Sequence, residues 1–127
     1  MSSAERPTVL FFIPNMAGGG AERVWINFLR TIDRSKVHCE LVLCERVGPL
    51  LAEVPDDIVV HDLGKTSRLS VALMVRRFRK LCLARKPAAV VSALWFADMI
   101  QLLARRAGDP WLAIVTIHAL AFEINRE

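Results

Sequence analysis

Cysteine is scarce in this 127-residue chain, with Cys39, Cys44 and Cys82 making an odd set that cannot all pair internally. Cys39 and Cys44 fall in one extended segment on opposite faces, too far apart to bridge. The expected setting is therefore reducing and cytoplasmic. No apolar run approaches the roughly 20 residues of a membrane span, and Met1 to Pro7 lacks the apolar core and cleavage site of a secretory signal. Neither secretion nor membrane insertion is expected. No Cys/His/Asp cluster has metal-ligand spacing, no Ser-His-Asp arrangement can be inferred, and no repeat or low-complexity stretch interrupts the chain. Acidic residues are missing from Leu63 to Ala97, where Lys65, Arg68, Arg76, Arg77, Arg79, Lys80, Arg85 and Lys86 all fall. That local excess suits an anionic membrane surface, a phosphate-bearing acceptor or nucleic acid, or is simply a solvated helix face.

What is present describes one folded domain: 54% of residues are hydrophobic and 24% charged, far more Leu, Ile, Val and Phe than a disordered chain carries. Thr8 to Ile13 (TVLFFI) reads as a strand buried on both faces and stopped by Pro14-Asn15. After Gly18 to Gly20, the residues Ala21, Val24, Trp25, Phe28 and Ile32 fall at helical spacing. The alternation continues with strand Val37 to Cys44, a helical turn at Pro49 to Glu53, strand Ile58 to Asp62 and a helix from Arg68 to Arg85. It ends with strand Ala88 to Leu94, a helix from Trp95 to Ala107 and strand Leu112 to Ile117. The expected fold class is α/β: a Rossmann-like parallel sheet of about five strands, helices on both faces and right-handed crossovers. In such a sheet ligands bind beyond the carboxyl ends of the strands, where the chain crosses from one half to the other. Pro14 to Gly20, Ser92 to Asp98 and Thr116 to Leu120 should border that crevice.

The first of these loops, Asn15-Met16-Ala17-Gly18-Gly19-Gly20-Ala21-Glu22-Arg23, sets three glycines between a buried strand and the first turn of a helix. Glycine there lets a ligand approach backbone amides at the positive end of the helix dipole, an arrangement suited to phosphate; a plain strand-to-helix turn is the alternative. A Walker-type loop needs Gly-Lys-Ser/Thr at its end, and Gly20 is followed by Ala21 and Glu22 instead. The dinucleotide fingerprint matches at Gly18 and Gly20 but places Arg23 where a small residue must meet the sheet.

A buried strand followed by Pro-Asn-Met-Ala-Gly-Gly-Gly-Ala-Glu-Arg-Val closely resembles the opening of family 4 glycosyltransferases of the GT-B fold. Weaker points of resemblance follow: the Asp33-Arg34-Ser35-Lys36 turn, the strand end Val59 to Gly64, Lys86-Pro87 before the fourth strand, and His118 closing the fifth. The resemblance implies that residues 1–127 are the amino-terminal, acceptor-side half of such an enzyme, with the donor-binding half absent. The chain would then be a fragment or one half of a split two-chain enzyme; a non-enzymatic nucleotide- or anion-binding module is a third expectation.

On the same resemblance the whole enzyme moves a sugar from a nucleotide-sugar donor to a hydroxyl acceptor, lipid-linked or a cell-surface polysaccharide precursor, with retention and without a cofactor or required metal. Gly18, Gly19 and Gly20 lie near the donor diphosphate, and Glu22 and Arg23 match the motif. Each of those two has an ordinary alternative, Glu22 as a helix-dipole partner and Arg23 as a solvated charge. His118 would reach the cleft rim as a catalytic or hydrogen-bonding group, or simply cap a strand. Ser92, Trp95 and Asp98 occupy the acceptor-side loop, with Trp95 expected in the core and Asp98 in the first turn of its helix. His38 and His61 are expected at the surface. The exposed arginines of the helix from Arg68 to Arg85 could lay the domain on the inner face of the plasma membrane. Nucleic acid is not an expected partner under this reading.

Overall fold

Six consecutive apolar or β-branched residues have no polar face to offer water, so Thr8–Ile13 forms β1 at the centre of the sheet, where both faces are covered. A computed structural model describes residues 6–65 and 71–116. It contains β1, α1 (Gly20–Thr31), β2 (His38–Leu43), a 3-10 turn (Pro49–Glu53), β3 (Val59–Asp62), α2 (Val71–Arg85), β4 (Ala89–Ala93), α3 (Trp95–Ala104) and β5 (Leu112–Thr116). The five strands run parallel in the order β3-β2-β1-β4-β5. The order of strand addition reverses between β3 and β4, which makes the β1/β4 boundary the topological switch point. The expected α/β fold class is correct. Ile117 and the helix start at 66–70 lie outside the described residues.

Side-chain alternation along β1 divides the core in two. Leu10 and Phe12 face α2 and α3, where the Phe12 and Phe78 rings stack at 4.5 Å. Phe11 and Ile13 face α1, with the Phe11 ring 4.9 Å from Trp25. Cys39 belongs to the α1 side and Cys44 to the α2 side, as the alternation requires, and all three thiols are free and buried. Right-handed crossovers put α1 on one face and both α2 and α3 on the other. On the α1 side Ala93 of β4 is buried in the core, but β5 is left partly open, with Leu112 and Ile114 exposed. An apolar groove of about 510 Å³ lies there, with Phe28 and Ile114 on its walls.

One carboxylate is sealed inside the sheet. Glu40 of β2 is fully buried, and the Nε2 atoms of His38 and His61 lie 2.8 and 2.7 Å from its oxygens. Arg85, from the last turn of α2, grips the same carboxylate through Nε at 2.9 Å and through Nη2. The expectation that His38 and His61 are surface residues is thus corrected: both are half-buried and spend a ring nitrogen on Glu40. Burial would raise the Glu40 carboxyl, but the bonds from Arg85, His61 and His38 and the charge of Arg85 outweigh it and hold it at about 2.

Candidate functional site

The glycine loop is held by its neighbour. The Met16 amide donates to the Val47 carbonyl at 2.9 Å, the Leu50 amide to Met16 at 3.1 Å and the Glu45 amide to Pro14 at 3.1 Å. The two loops can approach this closely because Gly48 has no side chain: at its φ of +121°, a Cβ would overlap the Met16 carbonyl. Asn15 tightens the turn by accepting the Ala17 amide on Oδ1 at 2.9 Å. Gly18 then takes φ +113°, Gly19 is the extended residue that caps α1, and Gly20 opens the helix. A side chain at Gly18 or Gly20 would meet open space, whereas a Cβ at Gly19 would fall 2.8 Å from the Glu22 carboxylate.

Glu22, in the first turn of α1, is buried and folded back beneath the Gly19 backbone. Arg23 is half-exposed and committed to Glu53, with contacts of 2.5 and 3.1 Å. Ser92 is buried and donates to Asp98 Oδ1 at 2.6 Å, while Gln101 Nε2 donates to Ser92 Oγ at 2.7 Å. Asp98 does sit in the first turn of α3, and this network ties β4 to that helix. His118 lies outside the described residues.

A cavity of about 850 Å³ opens at the carboxyl ends of β1 to β4, where doubly wound sheets bind ligands. The loop after β1 gives it Pro14 and Asn15, the loop after β2 gives Glu45, and the segment after β3 gives Lys65. Leu94, Trp95 and Phe96 close the other side, with Val71 of α2 and Met99 of α3 behind. Pro14 and Asn15 link this cleft to the glycine loop; Gly18, Gly19, Gly20, Glu22, Arg23, Ser92 and Asp98 do not line it.

Trp95 corrects the expectation that it belongs to the core, for it is 75% exposed. Leu94, the residue before it, holds φ +72° at the start of α3, a conformation that costs a side chain about 1–3 kcal/mol. Trp95 lines the cleft from its position as the first residue of α3. The Trp95 and Phe96 rings meet edge to face at 5.6 Å, and Lys65 Nζ stands 5.5 Å from the Phe96 centroid. The basic segment is also narrower than its sequence implies. Arg79 is turned onto Asp109 at 2.9 Å, Arg77 donates to the Leu63 carbonyl at 2.6 Å and Arg85 is spent on Glu40, leaving Arg76, Lys80 and Lys86 exposed without a described acidic partner.

Among the described residues no group of His, Cys, Asp or Glu could hold a metal ion, and no helix is long and apolar enough to cross a membrane. No protein-family model and no curated protein matches the sequence. Among solved structures, the apo form of the lipopolysaccharide outer core galactosyltransferase WaaB matches with a TM-score of 0.65 over 85% of this chain, at 19% sequence identity. The chain spans about a third of that structure, 32% of its length. The likeness establishes the fold, a Rossmann-like half of the GT-B type.

Proposed function

We propose that this domain is the acceptor-side half of a family 4-type glycosyltransferase, which moves a sugar from a nucleotide donor to a hydroxyl acceptor. The observation that carries the reading is the glycine loop, whose Asn15 reaches into a large cleft at the switch point of a sheet that shares its fold with a galactosyltransferase. Two glycines that leave open space beside the backbone suit the close approach of a diphosphate, and the amino terminus of α1 favours its charge. One wall of a cleft cannot hold donor and acceptor in register, so turnover requires a facing half, on the same chain or on a partner. Retention without a metal, and attachment to anionic lipid through Arg76 and Lys80, belong to the same proposal.

The test is amide chemical-shift mapping of the labelled 127-residue chain, titrated with a panel of nucleotide sugars and with pyrophosphate. Shifts at Gly18 to Arg23 that saturate with at least one diphosphate are expected. Shifts confined to other segments would overturn the assignment of the loop. The chain alone should show no sugar transfer to a panel of acceptors.

A further inference from the structure

We infer that the cleft binds a neutral hexopyranoside joined to an apolar body, with the sugar ring on Trp95 and its hydroxyls on Asn15, Glu45 and Lys65. This rests on the glycosyltransferase reading, within which the glycoside is the acceptor.

Three polar side chains with unspent hydrogen-bonding capacity converge on the cleft. Asn15 spends Oδ1 on Ala17 and keeps its side-chain N–H groups. The Glu45 carboxylate accepts no bond among the described residues, and Lys65 Nζ rests over the Phe96 ring with no acidic partner there. Together they offer donors, an acceptor and balanced charge, one cation and one carboxylate. An anionic ligand would meet Lys65 but also Glu45, so the pair favours hydroxyl groups, which can donate to the carboxylate and accept from the ammonium and amide.

The remaining lining is apolar: Pro14, Val71, Leu94, Phe96 and Met99. A free sugar could not satisfy its hydroxyls against those residues, whereas an alkyl or aryl body would bury them. Trp95 supplies the platform. It stands 75% exposed at the rim with Phe96 against it edge to face. The negative face of an indole attracts the weakly positive C–H groups on one side of a pyranose ring, and Leu94, the residue before Trp95, holds a strained φ of +72°.

The experiment is calorimetric titration of the 127-residue chain with octyl glucoside, octyl phosphate, free glucose and octanol, the amphiphiles kept below micelle formation. Octyl glucoside should bind saturably and about tenfold or more tighter than each of the other three. Trp95→Ala and Glu45→Ala should each weaken it by about tenfold, with thermal midpoints near wild type showing that the variants remain folded. Octyl phosphate binding as tightly as the glucoside would assign the cleft to anions, and octanol doing so would reduce it to an apolar pocket. Either result, or unchanged affinity in Trp95→Ala, overturns the inference. No nucleotide sugar enters this experiment, so its failure leaves the amide-shift test of the glycine loop intact.

Discussion

Replacing Glu40 by Gln should cost the domain most of one buried ion pair, and the loss should fade in acid. The carboxyl lies at about 2 against an ordinary value of 4.5. At about 1.4 kcal/mol for each pH unit, the difference contributes about 3 kcal/mol at pH 7. Loss of one partner from a fully buried pair costs about 3–5 kcal/mol. Arg85 is 41% exposed and can recover water, which places Glu40→Gln at the lower end of that range. Because the folded value lies below the unfolded one, the contribution is complete above about pH 5 and disappears as pH falls through about 2, with about half remaining near pH 3. Urea unfolding of both proteins at pH 7, 5 and 3 measures the difference directly, since acid effects common to the two cancel. At pH 7 the variant should melt about 10 °C or more below wild type. A gap under about 1 kcal/mol at pH 7, or one that does not narrow between pH 5 and pH 3, would show that Glu40 is not the ionised hub described here.

Gly48→Ala should lower stability by about 3 kcal/mol or more, because its Cβ meets the backbone carbonyl of Met16 and not a side chain that could swing away; thermal denaturation reports it. Gly18→Ala and Gly20→Ala should separate backbone strain from open space: the first should lose about 1–2 kcal/mol at its φ of +113°, while the second should gain about 0.4–1 kcal/mol inside α1. Urea unfolding of the two variants checks both signs. Thiol labelling at pH 8 should leave Cys44 and Cys82 unmodified in the native protein, since burial pushes each up to about 12, and should modify all three cysteines in urea. Rapid native labelling of either would show that its segment opens easily.

Strand β1 was legible because Thr8 to Ile13 has a continuous apolar pattern whose cause is local, burial on both faces. The opposite placement of Cys39 and Cys44 likewise follows from a two-residue period. The exposure of Trp95 was not legible, because a single exposed tryptophan leaves no periodic trace. Arg79 reads as a basic-face residue until Asp109, thirty positions later, is folded against it. The polar residues of the cleft escaped for a similar reason. Glu45 and Lys65 end different strands, and only the parallel pairing of β2 with β3 brings their loops to one cavity. The glycine motif was visible, but the side on which its glycines sit relative to that cavity was not.

The fit of Gly48 against Met16 has a consequence for anyone wishing to move this loop into another scaffold. Beyond the Asn15–Ala17 turn, residues 14 to 16 are fixed from outside, by amides and carbonyls of the segment 45 to 50. A graft of the seven-residue loop alone would relax into whatever turn the host strand and helix allow. A portable unit is larger, comprising β1, the loop, α1, β2 and the stretch through the 3-10 turn, with position 48 kept as glycine.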